Sequence, residues 1–459
     1  MIEEDIHSHP AAQAFEPGEA DTPPGQRGSK SRAAKVTEAI VTPRKSDKYI
    51  WAVFITLCVI SIIEQYSASS REIMADNVMA PIIKHCAMLG MGAVTAILVS
   101  RVPYSWFIPL TPVFVFVSIA LMVLVLFKGQ IINGARRSID LAGVAIQPAE
   151  FIKMSSVLIV AYVLSRAKGS MNVKVGVCVF FILIFGGLLF SQGLTNTLLM
   201  MAISSSMMLI GGIPWKKFLV VLLIYGVAGS IAVVYKISTD NTDARTERMI
   251  METGRDAQGN EVTINRMGLW KARIDRFFDA DTTPKYNRPI NDANRQEMHA
   301  YMAQANGRIV GVMPGNSRES ARLALANVDF VYSIVIEELG LVGGIFLLLV
   351  YLSLLGRAGV IAMGCRRVFP ALLVLGMAVY IVLQALCHMA IVTGAAPVSG
   401  QPLPLISKGG TSILATSLAF GIMLSVSRFA VRTGKKQEIA AEAAALPDDM
   451  QTPNPTFLK

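Results

Sequence analysis

GNSRESARLALANVDFVYSIVIEELG, residues 315–340, decides how this chain folds. A polar, arginine-bearing stretch ends at Asp329, and the apolar segment 329–356 that follows is long enough to enter a bilayer. Charged groups at a membrane boundary are costly unless solvated or paired, so a carboxylate held there is a functional suspect. The same position suits a helix N-cap, whose side-chain oxygen meets free backbone N–H groups. Local sequence leaves both roles open.

Nine further apolar stretches of similar length lie near 49–67, 81–101, 104–127, 148–166, 172–191, 194–212, 217–237, 370–393 and 409–430. With 459 residues, 53% of them hydrophobic and 16% charged, the chain reads as an all-α polytopic membrane protein with ten transmembrane helices. The net charge of +10 is concentrated at alternate span boundaries: Lys45 and Lys48, Arg101, Arg166 with Lys168 and Lys174, Lys216 with Lys217, Arg357 with Arg366 and Arg367, and residues 428–436. Under the positive-inside rule this pattern places both termini in the cytoplasm. Basic charge here is a topology signal; a nucleic-acid partner would need a soluble basic domain, and none is present.

The five cysteines and five histidines are dispersed, without the spacing of a metal site or a disulfide framework. Residues 1–48 form a polar, Pro- and charge-rich tail expected to be disordered and cytoplasmic, with no cleavable signal before the first span. Spans one to seven cover 49–237. A large external loop, 238–328, lies between helices 7 and 8 and includes GLWKARIDRFFDA (268–280), which sets Trp270, Ile274, Phe277 and Phe278 on one face of an amphipathic helix. Spans eight to ten cover 329–433, and 434–459 is a cytoplasmic tail with an Ala-rich patch able to form a transient helix.

Two more irregular segments share the external side: GARRSIDLAGVAIQPAEFIK (134–153) and GAAPVSGQPLPLISKGGTS (394–412). Pro397, Pro402 and Pro404 with Gly400, Gly409 and Gly410 cannot all be helix interior. Non-helical backbone at membrane depth persists where protein or a wet cavity satisfies it, so 394–408 is expected to be re-entrant. Three irregular segments over one helix bundle make a site.

Within it, Glu150 and Lys153 are three residues apart on one helical face and are close enough to pair. A lock between helices and a ligand contact are both open to them. Arg136 and Arg137 precede them with planar forks suited to phosphate oxygens. Arg273, Arg308, Arg322 and Lys408 stand in or beside the same region, so several cations near Asp329 would make an anion pocket with a base at its edge. Glu337 and Glu338 lie about 12 Å or more deeper along the same helix; a buried polar lock with Arg or Lys partners is favoured over a proton or substrate path.

Four blocks, GARRSID with QPAEFIK, NGRIVGVMPGNS (306–317), VDFVYSIVIEELGLVG (328–343) and PVSGQPLPLISKGGTS (397–412), resemble the SEDS family of shape, elongation, division and sporulation proteins, across about 48–432. Gly-Asn-Ser at 315–317 looks more like the division type, FtsW, than the elongation type, RodA. The resemblance implies a peptidoglycan glycosyltransferase that polymerises lipid II outside the inner membrane, at the septum, beside a class B penicillin-binding protein and other divisome membrane proteins. It implies Asp329 as general base, with Arg137, Glu150 and Lys153 in the external cavity and Gln384, Pro397, Gly400, Pro404, Ser407, Gly409 and Gly410 around the loop before the last span. A divalent cation, Mg or Mn, could share the leaving group's charge, although no dedicated ligand cluster is visible. Departures are Ser138 in place of a common tryptophan, Lys408 in place of a tyrosine, Ala324-Leu325 for a Pro-Glu pair, and Gly193 in SQGLTNT where an acid is usual. They touch acceptor contacts and loop shape more than reaction class. A lipid II transporter and a non-catalytic scaffold for the penicillin-binding protein are the competing roles.

Overall fold

The computed structural model describes residues 45–68, 80–132, 135–141, 144–239, 277–278, 288–290, 294–323, 326–430 and 436–455. Arg273 and all but two residues of the expected amphipathic helix lie outside these; Phe277 and Phe278 are described and meet edge to face at 5.0 Å.

Apolar runs become helices because, away from water, only a helix satisfies its backbone within itself. In chain order they are α1 (Lys48–Ala68), α2 (Ala80–Ser100), α3 (Phe107–Lys128), α4 (Pro148–Leu164), α5 (Met171–Phe190), α6 (Leu194–Ile210), α7 (Trp215–Thr239), α8 (Arg295–Gly307), α9 (Val331–Gly364), α10 (Val368–Val392), α11 (Gly410–Phe429) and α12 (Lys436–Ala445). Eight of them are long and apolar enough to cross a membrane by length and composition. The expected fourth and sixth spans come out as helices of only 17 residues each, α4 and α6. Pro148 starts α4, where its missing N–H costs nothing.

The expectation of an all-α chain needs one correction. Between α3 and α4 the chain forms three antiparallel strands, β1 (Gln130–Ile132), β2 (Ala135–Leu141) and β3 (Val144–Ile146), in the order β1-β2-β3. Pairing sets Gln130 opposite Ser138 and Ile139 opposite Ile146. Short strands satisfy one another's backbone where the segment has left the helical run.

Burial separates the centre of the bundle from its rim. The membrane windows of α10 and α11 are 83% buried, against 17% for α7 and 28% for α2 and α3. Helix α10 contacts α4, α6, α9 and α11, whereas Phe116, Phe127 and Leu223 on the rim stay largely exposed, as lipid-facing side chains do.

Helix α9 departs most from expectation. Its 34 residues are interrupted at Gly340, whose φ of 73° and ψ of −177° are open to glycine alone. The broken helix would strand backbone groups, and residues 308–313 supply their partners. Val312 N–H donates to Glu337 O at 3.0 Å and Met313 N–H to Glu338 O at 2.9 Å, while Leu341 and Val342 donate to Arg308 O and Ile309 O at 3.0 and 3.2 Å. The part of α9 beyond the break is roughly 36 Å long, enough for a hydrocarbon core of about 30 Å.

At the opposite end of the bundle from the sheet, the expected tail is docked. Asn454 Nδ2 donates to Ala362 O at 3.0 Å and Cys365 O at 2.7 Å, so it caps the open carbonyls of α9. Thr452 Oγ1 donates to Ser165 O at 2.9 Å, Tyr104 OH to Glu442 Oε1 at 2.7 Å, and Arg166 pairs with Asp449 at 3.3 Å. Leu446 and Met450 of this strap are buried. Nearby, Arg357 forks onto Asp47, which also caps α1 through Tyr49 and Ile50 N–H. Burial works against the Asp47 carboxylate, but the Arg357 and Ile50 hydrogen bonds outweigh it and hold its pKa below the ordinary value. Removing residues 436–459 deletes several hydrogen bonds at roughly 1 kcal/mol each. The truncated chain is expected to unfold at a clearly lower temperature in detergent than the full chain; an unchanged midpoint would refute a structural role for the strap.

Candidate functional site

The site is built where the segment 326–330 meets the irregular stretch between α10 and α11. Ser407 Oγ donates to Val328 O at 2.6 Å and accepts from Leu403 N–H at 2.8 Å, and Lys408 N–H donates to Asn327 O at 2.8 Å. These bonds run the chain on either side of Asp329 along the loop. Gly400 then faces the acid directly: a Cβ built there would stand 2.9 Å from Asp329 Oδ2 and 3.3 Å from its Cγ. Asp329 itself is half-buried. The N-cap of α9 is Phe330, so Asp329 lies one residue outside the cap position that the sequence allowed it.

The loop is re-entrant in the expected sense, for the backbone that no helix satisfies is satisfied by protein. Tyr351 OH donates to Pro404 O at 2.6 Å, Ser61 Oγ to Ile406 O at 3.3 Å and Gln384 Nε2 to Pro402 O at 3.4 Å; His388 Nδ1 meets Gln401 O at 2.6 Å. Leu403, Leu405 and Ile406 are buried. Sequence reasoning passed over Tyr351, Tyr380 and His388. Polar side chains well inside apolar runs were the available signal, because each needs a partner when buried.

Glu150 and Lys153 pair as their spacing implied. Lys153 Nζ donates to Glu150 Oε1 and Gln384 Oε1, both at 2.8 Å, and Tyr380 OH donates to Glu150 Oε2 at 2.7 Å. Lys153 is 0% and Glu150 1% exposed. They therefore form an enclosed lock between α4 and α10, and through Gln384 the lock reaches the loop at Pro402. Neither is open to an outside ligand in this arrangement.

The candidate cations are dispersed. Arg136 donates to Phe127 O at the end of α3, which commits part of its fork to the helix terminus. Arg137 follows it on β2 and is half-buried; successive strand residues point to opposite faces. The sheet reaches the loop's far end, because Thr411 Oγ1 donates to Ala145 O and accepts from Gln147 N–H. Lys408 is half-buried and its charge acts on His85. Arg322 pairs with Glu319 at 3.0 Å, its side chain 62% exposed. Arg308 corrects the expectation: its carbonyl meets Leu341 N–H, which puts its backbone about 15 Å along α9 from Asp329, too far to join an anion pocket there. Ser407 is 1% exposed and fully engaged as a loop tie.

Glu337 and Glu338 are locked, but by different partners from those expected. Glu337 accepts from Asn306 Nδ2 and Arg318 N–H at 3.1 Å and from Ser317 Oγ at 2.5 Å. Glu338 Oε1 accepts from Gly315 N–H at 3.0 Å and from Ser67 Oγ. Backbone amides and hydroxyls replace arginine and lysine, since the inserted segment 306–319 brings its donors with it. Among the described residues no three His, Cys, Asp or Glu side chains form a metal-binding group.

Residues 45–432 match the family model for the FtsW, RodA and SpoVE proteins, described as cell cycle proteins. The chain belongs to this family. It is 28% identical over 383 residues, 82% of its length and 89% of the relative's, to a probable peptidoglycan glycosyltransferase FtsW of Hydrogenovibrio crunogenus. It is 25% identical over 400 residues, 85% of its length and 99% of the relative's, to the stage V sporulation protein E of Bacillus subtilis. Its fold resembles one chain of a peptidoglycan synthase complex (TM-score 0.61, 22% identity, 83% of this chain and 97% of that one). It also resembles the rod shape determining protein RodA of Thermus thermophilus (TM-score 0.55, 21% identity, 83% and 96%).

Gly400 offers a direct probe of the site. Gly400→Ala sets a methyl against the Asp329 carboxylate and displaces it by a few tenths of an ångström or more. Since about 1 Å of misplacement can cost roughly 100-fold in rate, a drop of about ten-fold in turnover is expected, with little change in unfolding temperature. Full turnover in the alanine variant would refute this contact.

Proposed function

We propose that this chain is a peptidoglycan glycosyltransferase that polymerises lipid II during septal wall synthesis. In this proposal it has ten spans, both termini in the cytoplasm, and the Asp329 end of the bundle outside the inner membrane. The observation that carries the proposal is the half-buried Asp329 carboxylate held against Gly400 in a family whose relatives are named for this activity. The donor's lipid tail stays in the bilayer while its pyrophosphate is held by Arg137 and Lys408. Asp329 takes the proton from the acceptor sugar's 4-hydroxyl as that oxygen attacks the donor's anomeric carbon. The bond from that carbon to the pyrophosphate oxygen breaks, undecaprenyl pyrophosphate leaves, and the configuration inverts. A lone base is sufficient because pyrophosphate is a good leaving group that needs charge stabilisation more than protonation.

Glu150 and Lys153 enter as supports: through Gln384 they fix the loop that carries Gly400. A class B penicillin-binding protein is the proposed partner, and a peptidoglycan synthase complex among the fold relatives supports that pairing. The test is the purified chain with such a partner and fluorescent lipid II, resolved on gels. Glycan ladders are expected. Intact lipid II after incubation with a folded, partner-bound chain would overturn the proposal in favour of a transporter or scaffold.

A further inference from the structure

One cluster of ionisable groups takes no part in this chemistry. Glu64 on α1 and Glu338 on α9 are each 0% exposed, and Ser67, three residues after Glu64 on the same helical face, donates to Glu338 Oε1, which sets the two carboxyl groups at one helix contact. Neither oxygen of Glu64 has a hydrogen-bond partner among the described residues, and neither has Oε2 of Glu338. The other oxygen, Glu338 Oε1, is held by Ser67 and Gly315 N–H. Adjacent Glu337 takes its donors from Asn306, Ser317 and Arg318 N–H. Among the described residues, three carboxylate oxygens at this helix contact are therefore left without a hydrogen-bond partner.

Among the described residues, none of the neighbouring groups forms an ion pair with this pair. On α1, Tyr66 is exposed; on α2, Lys84 is exposed and His85 is taken up by Ser61. In the inserted segment, Arg308 and Arg318 are exposed, and Glu319 pairs with His299 and Arg322. Lys408 N–H is tied to Asn327 O, and α11 has no titratable residue between Gly410 and Ser427. Two ionised carboxylates with three of their four oxygens unpaired cannot share such a place, because the loss of hydration is not repaid. A carboxylic acid needs one acceptor, and a carboxylate needs one donor; the orphaned atoms of this pair meet both needs at once.

We propose that Glu64 and Glu338 form a buried proton-binding site, in which Glu64 is a neutral acid whose hydroxyl donates to Oε2 of Glu338. One proton thereby joins the first membrane helix to α9 just above its break at Gly340. No covalent bond changes; the proton remains on Glu64 and is shared with Glu338.

The test uses the full chain in nanodiscs at neutral pH, read by infrared spectroscopy of the protonated-carboxyl C=O stretch and by thermal unfolding. The wild type is expected to show that band and Glu64→Gln to lose it. Glu64→Gln, whose amide can donate to Glu338 in the same way, should keep the wild-type midpoint, and Glu64→Leu should lower it. Raising the pH should lower the wild-type midpoint more than that of Glu64→Gln. No such band in the wild type, a reading that needs no variant, would overturn the proposal. So would a band that persists in Glu64→Gln, or stabilisation by Mn²⁺ that Glu64→Gln abolishes, which would assign the pair to a cation.

Discussion

Asp329→Asn is expected to reduce lipid II polymerisation by at least about 100-fold, the lower range for removal of a general base. The amide is nearly isosteric with the carboxylate, so the fit against Gly400 survives, as do the ties of Ser407 to Val328 and Lys408 to Asn327. Unfolding temperature and partner binding should therefore match the wild type, and the loss should fall on turnover. Long glycan chains made by a folded Asp329→Asn protein would eliminate the base assignment.

Lys153→Ala is expected to have the largest effect on stability. It strands Glu150 as a buried charge with Tyr380 as its remaining donor, and it frees Gln384, which holds Pro402. Breaking a buried pair in this way costs about 3–5 kcal/mol. The measurement is thermal unfolding in detergent beside polymerisation. Both should fall, because the lock supports the loop that holds Gly400 against Asp329. Lys153→Ala combined with Glu150→Ala leaves no unpaired charge and should recover part of the stability. If the single variant keeps the wild-type midpoint but loses activity, Lys153 acts on substrate and the lock is incidental. Equal damage from the double variant would show that packing, and not charge, dominates at this position.

Much of this was legible before any coordinates. Apolar runs located the helices to within a few residues, except that α9 runs on to Gly364, past the expected end at 356, because a bilayer leaves the backbone no alternative to internal hydrogen bonding. Spacing paired Glu150 with Lys153, and the crowding of proline and glycine at 394–412 marked a non-helical segment. The β-sheet at 130–146 escaped notice since its strands are three to seven residues long, too short to show an alternating period.

Other features depended on chain segments far apart in sequence. Nothing local to Gly340 distinguishes it from the Gly343-Gly344 pair just after it, which stays helical. The break exists because residues 308–313 arrive with donors and acceptors in the matching order. Arg308 looked like a pocket cation by its side of the membrane, yet that same insertion carries it away from Asp329. Composition and periodicity thus marked which runs are long and apolar enough to enter a bilayer, since hydration cost acts on each residue wherever the chain leads. Tertiary structure decided which of the polar ones are enclosed against each other and which are not, because the partner that repays a buried charge or a broken helix comes from a different part of the chain.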